Sequence, residues 1–357
     1  MAVHRPRFGP PRSGVKTGEA GGVRPSAATW DSMKRARRKF LHLAASATAL
    51  PIVSRIATAQ TYPARPVRLI VPGPPGGTAD LFARVYGEWL AQRLNHPFII
   101  ENRVGAGGNI ATEAVVLAPP EGYTLLWITS ANAWNATLYA NLKFNFVRDI
   151  EPVASSHRGY GVMVVLPSFP AQTVPEFTAY AKANPGKVNM ASNGIGSGAH
   201  LWGELFQMET GTEMLHVPYR SEESAFTDLL AGQVQVMFET VATAIGHIKA
   251  GELRALAVTA ATRLPILPDI PTLGEFVPGY EAAGWGGIGA PRDTPAEIVD
   301  KLNKEINAAL ANPTIKARIA DLGSVPLPMT PAAFTNFIAA ETDKWADVIK
   351  FAGIKPL

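Results

Sequence analysis

The stretch that decides the fold lies at residues 67–80 and reads VRLIVPGPPGGTAD. Its first five residues are mostly apolar, which predicts a short buried strand. A loop rich in proline and glycine follows, and the periodic apolar residues after it predict a helix from Thr78 to about Asn95. Residues 188–210 predict a second unit of the same kind, with a strand, a glycine-rich loop and a helix. We assign one such unit to each of two lobes.

Strands and helices alternate through the rest of the chain. Apolar runs predict further strands near residues 98–100, 124–128, 162–166, 214–217, 234–238 and 253–258. This alternation is typical of an α/β protein whose parallel sheets are covered by helices on both faces. Ligands of such sheets bind beyond the carboxyl ends of the strands, so we expect a cleft where the two lobes face each other.

Length and composition limit the class of protein. A chain of 357 residues that is 47% apolar and 17% charged is long enough for two globular domains. The absence of cysteine excludes disulfides, thiolate metal sites and cysteine nucleophiles. Residues 1–59 contain eleven of the 33 Lys and Arg residues but two of the 29 Asp and Glu residues. The basic character therefore belongs to this segment, and we predict no nucleic-acid partner.

The first 59 residues have the organisation of an export signal. We interpret residues 1–32 as an upstream extension and place the start of the signal at Met33. A basic segment, an apolar run at 43–56 and the small residues 57–59 follow in the order of a cleavable signal peptide. The pair Arg37-Arg38 resembles a twin-arginine signal, and a basic amphipathic arm is the alternative interpretation. We therefore predict a periplasmic protein.

Three glycine-rich loops lead into predicted helices. Such loops expose backbone N–H groups, and the helix dipole adds about half a positive charge at the same place. Anion sites are therefore predicted at Gly76–Thr78, at Gly196–Ala199 and at Gly105–Gly108. The main loops lack the Gly-Lys-Ser/Thr ending of a nucleotide-binding loop, which favours a carboxylate over a nucleotide. The glycines are equally typical of simple tight turns.

Residues that could support catalysis or bind a metal are scattered. The chain has no G-x-S-x-G motif, and no two of its seven histidines have the spacing of metal ligands. We predict no catalytic site, no metal site and no cofactor. His200 and Glu239 could face the cleft or have structural roles, and Arg220 could offset a ligand charge or lie on the surface. Trp285 could line the cleft or pack in the core.

Motifs along nearly all of residues 62–356 occur in the order of one known family. They are the segments 62–72, 74–80, 101–110, 120–126, 216–219, 228–234, 248–259, 268–272 and 352–355. On these segments the chain resembles the Bug family, the substrate-binding receptors of tripartite tricarboxylate transporters. The resemblance implies a periplasmic binding protein fold (type II-like) with two Rossmann-like α/β lobes and a two-stranded hinge. Lobe 1 would comprise residues 62–162 plus 286–357, and lobe 2 residues 163–285.

The resemblance also implies a function, a ligand class and partners. The chain would be a monomeric receptor that captures a small di- or tricarboxylate, amino acid or aromatic acid for membrane permease subunits. The alternatives are a sensor that acts on a membrane sensor kinase and, least favoured, an exported enzyme. The motif positions imply ligand contacts from Gly76, Gly77, Thr78, Ala106, Gly107, Thr129, Ser130, Ser192, Asn193, Ser197, Gly198, His200, Tyr219 and Glu239.

Several positions depart from the family pattern near the expected pocket. Gly73 stands where the family has a bulky aromatic residue, and Glu239 stands where it has aspartate. Residues 219–223, which read YRSEE, replace a Tyr-Lys-Gly-x-Gly pattern. We therefore expect a pocket of altered size and polarity, and the identity of the ligand does not follow from the family. A bulky residue at Gly76 is expected to abolish binding.

Overall fold

A computed structural model describes residues 62–356 of the chain. The predicted extension and signal peptide at residues 1–59 lie outside the described residues. Within residues 62–356, no helix combines the length and the apolar composition needed to cross a membrane.

The strands of the described residues form one curled sheet. They are β1 (Val67–Val71), β2 (Phe98–Asn102), β3 (Thr124–Thr129), β4 (Ile150–Val165), β5 (Asn189–Ser192), β6 (Leu215–Pro218), β7 (Val236–Thr240), β8 (Arg254–Val258), β9 (Ala283–Pro291) and β10 (Ser324–Pro326). Along the sheet the order is β2-β1-β3-β9-β4-β7-β5-β6, and β8 and β10 also pair with β4. Most of the predicted strands are therefore found within two residues of their expected positions.

Helices cover the sheet and begin at side-chain caps in several places. They are α1 (Thr78–Leu94), α2 (Asn109–Val116), α3 (Ala131–Leu138), α4 (Phe146–Asp149), α5 (Val174–Ala183), α6 (Gly198–Thr210), α7 (Glu222–Leu230), α8 (Val241–Lys249), α9 (Ala296–Ala311), α10 (Pro313–Asp321) and α11 (Pro331–Phe351). The hydroxyls of Ser197, Ser221 and Thr240 accept hydrogen bonds from first-turn N–H groups of α6, α7 and α8. Such caps satisfy amides that have no acceptor within the helix.

The long strand β4 belongs to both halves of the sheet. Its residues 150–160 pair with β9 and β10, and its residues 161–165 pair with β7 and β8. We call β1, β2, β3, β9, β10 and the first part of β4 the first strand group. The second strand group comprises the end of β4 with β5, β6, β7 and β8. The chain thus has the two-part α/β architecture that the resemblance implies.

The expectation of purely parallel sheets was wrong for the middle of the sheet. β1 runs parallel to β2 and β3, and β5 runs parallel to β6 and β7. However, β4 and β9 run antiparallel to each other and to the strands on either side of them. The sheet is mixed because β4 and β9 run beside each other in opposite directions between the parallel strands of the two groups.

Apolar side chains fill separate cores in the two strand groups. Phe82 and Trp127 lie in one core, and Phe206 lies in another. Trp345 of the C-terminal helix α11 packs edge-on against Trp134 of α3, with ring centroids 5.7 Å apart, and shares the core of Phe206. The C-terminal helix therefore contacts helices that follow strands of both strand groups. The exact residue boundaries of the two lobes stay a prediction.

Candidate functional site

A cavity of about 340 Å³ lies between the two strand groups. From the first group it is lined by residues at the start of α1, on and after β3, and on β9, namely Thr78, Ala79, Trp127, Thr129, Ser130 and Trp285. From the second group it is lined by Trp202, Glu222, Thr240 and Thr243. Its volume lies within the range of small-molecule sites. The cavity is therefore our candidate ligand site.

The first turn of α1 presents unpaired amides to this cavity. Gly77 is the N-cap residue of α1 and provides no side-chain cap. The backbone N–H groups of Thr78 and Ala79 have no acceptor within residues 62–356. Because the helix dipole adds positive potential at the same point, this turn is suited to binding an anion. The loop prediction located this feature but missed Ala79.

The two glycines of the loop have a different role from the predicted one. The Gly76 N–H donates to Asp80 Oδ2 at 2.9 Å, and the Gly77 N–H donates to the Pro74 carbonyl at 3.1 Å. Both amides are therefore already hydrogen-bonded inside the loop. Gly76 has a φ of +79°, a conformation that favours glycine, so its structural role is to shape the turn.

Asp80 holds this loop against the rest of the first strand group. Its buried carboxylate also accepts hydrogen bonds from the Arg84 guanidinium at 2.8 and 3.0 Å and from the Asn102 amide at 3.0 Å. The hydrogen bond from Arg84 is the main reason why the pKa of Asp80 lies below its ordinary value. The charged carboxylate therefore fixes the position of the α1 N-terminus.

Thr129, the last residue of β3, and Ser130, the next residue, both line the cavity. The Ser130 N–H donates to the Trp285 carbonyl at 3.0 Å, whereas its hydroxyl has no partner among the described residues. The Thr129 N–H and hydroxyl both donate to Asn132 Oδ1, at 2.9 and 3.4 Å. Ser130 is thus the side-chain donor available next to the amides of α1.

Two buried indole groups also border the cavity without hydrogen-bond partners. The Nε1 atoms of Trp127 and Trp202 are both inaccessible and unpartnered among the described residues. An unsatisfied buried donor costs about 1–3 kcal/mol, so packing of the two rings must offset this cost. The Trp202 ring packs against Gly161, where a Cβ atom would come within 2.6 Å of it. The glycine makes room for the indole.

The opposite side of the cavity is acidic. Glu222 lines the cavity and accepts a hydrogen bond from Asn193 Nδ2 at 3.1 Å. Glu239 is buried, and its Oε1 accepts from the Thr240 N–H at 2.6 Å. Burial, and then the charge of Glu222, raise the pKa of Glu239 to about 8. Glu239 Oε2 and Asn193 Oδ1 are buried and unpartnered among the described residues.

No lysine or arginine belongs to the lining of the cavity in the described part of the chain. His157 lines it, but burial lowers the pKa of this histidine to about 3, so the ring is neutral at neutral pH. The ring stacks on Phe82 with centroids 3.5 Å apart. Positive potential in the cavity therefore comes from backbone amides and hydrogen-bond donors, and negative charge comes from Glu222.

Several predicted site residues lie away from this cavity or have other partners. His200 stacks on His216, with ring centroids 3.6 Å apart, and borders a second cavity of about 660 Å³. Ser192 Oγ lies 2.6 Å from His216 Nε2. The Tyr219 hydroxyl donates to Asp228 at 2.6 Å, and burial with this partner raises the pKa of Tyr219 to about 12. These side chains are committed to structural contacts.

The remaining predicted loops also do not border the 340 Å³ cavity. Ala106 and Gly107 form a short 3₁₀ turn, and the Gly107 carbonyl accepts from Asn135 at 2.9 Å. Ser197 caps α6, and Gly198 packs against Trp202. Trp285 both lines the cavity and donates its indole N–H to Glu341 at 2.9 Å, so its two interpretations are compatible. The assignment of individual residues to a ligand stays a prediction.

Sequence reasoning missed four residues that complete the cavity, namely Trp127, Trp202, Thr240 and Thr243. Trp202 follows Gly198 by four residues, one helical turn into α6, and this spacing is the one signal that pointed toward it. Thr240 and Thr243 follow Glu239 at the end of β7, a strand end that the sequence did identify. Glu222 lies in the segment 219–223, where the departure from the family pattern was noted.

Comparison with known proteins agrees with this architecture. The model of the tripartite tricarboxylate transporter family receptor matches residues 82–354. Protein BugT of Bordetella pertussis is 37% identical over 301 residues, which are 84% of this chain and 92% of that protein. The fold and cavity define a periplasmic binding protein. The chain belongs to the tripartite tricarboxylate transporter receptor family, as its resemblance to the Bug proteins implied.

Two solved structures of similar proteins contain carboxylates. The structure of R. palustris Rpa4515 with adipate is 36% identical, has a TM-score of 0.71, and the match covers 83% of this chain and 100% of that one. MatC (Rpa3494) from Rhodopseudomonas palustris with bound malate is 31% identical, with a TM-score of 0.67 and coverage of 81% and 100%. The fold shared with these proteins is therefore one that holds small carboxylates.

Proposed function

We propose that the chain is a periplasmic receptor that binds a small carboxylate and delivers it to membrane permease subunits, without chemically changing it. The observation that carries this proposal is the first turn of α1. Its Thr78 and Ala79 amides have no acceptor within residues 62–356, and both residues line a cavity to which these described residues contribute no lysine or arginine. A carboxylate accepts hydrogen bonds from such amides and from the nearby Ser130 hydroxyl.

Further support comes from the family and from the two carboxylate-bound relatives. Both relatives align over nearly their whole length, so the carboxylate-binding role extends to this chain by similarity of the whole fold. In this proposal the export signal at residues 33–59 brings the receptor to the periplasm as a monomer. Closure of the two strand groups around the ligand would produce the form that the permease recognises.

The test is a matched pair of substitutions at Thr78 in the full chain. Thr78→Pro removes the backbone N–H, and proline is favoured at the first position of a helix. The preceding Gly77 already has the extended conformation, with a ψ of 164°, that a residue before proline requires. Thr78→Ala keeps the N–H and removes only the hydroxyl.

We expect Thr78→Pro to weaken carboxylate binding by about 10- to 100-fold, the loss of one charge-assisted hydrogen bond. Thr78→Ala is expected to weaken it less. Calorimetric titration with C3–C6 mono- and dicarboxylates and ω-amino carboxylates measures both affinities, and circular dichroism verifies that the variants fold. Equal affinity of Thr78→Pro and the unchanged chain would refute the role of the α1 amide, and binding of no carboxylate would refute the proposed function.

A further inference from the structure

The acceptor groups of the cavity are concentrated on its second-group side. Glu222 lines the cavity, and Asn193 donates to it. Glu239 directly precedes Thr240, which also lines the cavity and binds Glu239 Oε1 through its N–H. Asn193 Oδ1 and Glu239 Oε2 remain buried without partners among the described residues. Asn193 and Glu239 do not line the cavity, so the Glu222 carboxylate is the acceptor on this side that a ligand in the cavity can reach.

The donor groups are concentrated on the opposite, first-group side. They are the amides of Thr78 and Ala79 and the Ser130 hydroxyl. A ligand that satisfies both sides must present acceptors at one end and donors at the other. A carboxylate satisfies the first side, and the chemistry of the second side then defines the rest of the molecule.

A second carboxylate at the far end of the ligand would be unfavourable. It would approach the Glu222 carboxylate in a partly buried site where no lysine or arginine lines the cavity among the described residues. Like charges repel strongly where water is excluded. A quaternary ammonium would offset the charge but has no N–H to give to the Glu222 carboxylate. A protonated primary amine supplies both the charge and three donors.

We propose that the ligand is a small zwitterion, a monocarboxylate with a protonated amine at its far end, and that Glu222 binds the amine. This inference rests on the proposed function, because the carboxylate end is the one held by α1. Glu222 lies within residues 219–223, a segment that departs from the family pattern. The selectivity for an amine would therefore be a property of this chain.

The experiment compares ligands matched in length by calorimetric titration of the full chain at pH 7. The probes are ω-amino carboxylates of three to six carbons, the dicarboxylates with the same number of methylene groups, and the N-trimethylated amino acids. We expect the best amino carboxylate to bind about 10- to 100-fold more tightly than its matched dicarboxylate, the range for a charged hydrogen-bonded pair. The trimethylated analogue is expected to bind more weakly than the primary amine.

Glu222→Gln tests the acidic side, and Glu223→Gln is the matched control. Glu223 follows Glu222 in the same helical turn but is exposed and does not line the cavity. We expect Glu222→Gln to weaken the amino carboxylate about tenfold or more while strengthening the dicarboxylate. Glu223→Gln should change neither affinity. Melting curves show whether each variant is folded.

Two results would refute the proposal that the ligand is a zwitterion. One is a dicarboxylate that binds the unchanged chain as tightly as the matched amino carboxylate, and the other is a Glu222→Gln variant with the same preference as the unchanged chain. Carboxylate binding without a preference for the amine would refute this inference and leave the proposed function intact. Failure of every carboxylate to bind would refute both.

Discussion

Glu239 shows how a single buried group can link the candidate site to the stability of the protein. In the ligand-free protein the pKa of Glu239 is about 8, whereas an exposed glutamate has a value near 4.5. Between these values the unfolded chain has lost the proton and the folded chain still holds it. The free energy of unfolding therefore falls as the pH rises from about 4.5 to 8.

Replacement of this residue by its neutral isostere should remove that pH dependence. We expect Glu239→Gln to raise the free energy of unfolding at pH 8.5 by a few kcal/mol and to leave it nearly unchanged at pH 4.5. Urea denaturation at the two pH values measures the difference. Glu223→Gln, at an exposed site, should keep the pH dependence of the unchanged chain. A Glu239→Gln variant that loses stability toward pH 8.5 as steeply as the unchanged chain would contradict this account.

At the residue scale, the family motif put Thr129 and Ser130 among the predicted ligand contacts, and both line the cavity. Their role in binding a ligand stays a prediction. Trp127 and Trp202 were missed because they lie inside β3 and α6, and an apolar aromatic within an element is normally a core residue. Their unpartnered indole nitrogens become visible only when the neighbouring elements are in place.

At the element scale, the N-terminus of α1 depends on the buried carboxylate of Asp80. Asp80→Asn removes the negative charge of the carboxylate that accepts hydrogen bonds from Arg84 and from the Gly76 N–H. We expect a loss of about 1–3 kcal/mol in the free energy of unfolding at pH 7. Because the pKa of Asp80 is lowered, its contribution is present above the ordinary value of 3.8 and is lost as the pH falls below it.

The control for Asp80 is Asp347→Asn, which breaks an exposed pair with Lys350 at 3.4 Å. Such exposed pairs contribute about 0–1 kcal/mol, so little change is expected. Denaturation at pH 7 and at pH 3 distinguishes the two variants. An Asp80→Asn variant as stable as the Asp347→Asn variant at pH 7 would show that the loop does not depend on the carboxylate.

The strand β9 shows why some elements could not be predicted from the sequence. Residues 283–291 contain four glycines, which have a low strand propensity and gave no apolar run. In the structure these glycines allow close approach of neighbouring elements. A Cβ at Gly287 would lie 2.5 Å from the Ala154 carbonyl, and one at Gly289 would lie 2.7 Å from Ile128. The requirement comes from tertiary contacts that a single sequence does not contain.

At the scale of the whole molecule, the two strand groups are joined around Gly161. Here β4 changes its partners, from β9 up to Tyr160 to β7 from Gly161 onward. The Gly161 N–H donates to Thr259 Oγ1 at 2.7 Å, and the Thr259 hydroxyl donates to the Ala282 carbonyl at 2.6 Å. Thr259 is therefore hydrogen-bonded to both segments that connect the two strand groups, at Gly161 and at Ala282.

Gly161 also supports the Trp202 wall of the cavity, so a methyl group at this position tests both roles. In Gly161→Ala the new Cβ would come within 2.6 Å of the Trp202 ring and 3.1 Å of Thr259 Cγ2, and the indole would have to move. We expect a loss of about 1–3 kcal/mol in stability, as in other overpacked cores. Carboxylate affinity should fall as well, because Trp202 lines the cavity.

Gly246→Ala provides the matched control, since this glycine lies in the exposed part of α8 and a Cβ there meets no atom within 4 Å. Alanine is favoured over glycine inside a helix, so this variant should gain about 0.5–1 kcal/mol and bind ligand normally. Urea denaturation and calorimetric titration with the best carboxylate of the ligand series measure both effects. If the Gly161→Ala variant had the same free energy of unfolding and the same ligand affinity as the unchanged chain, the junction of the two strand groups would have to tolerate movement of Trp202. The affinity for the ligand would then not depend on this wall.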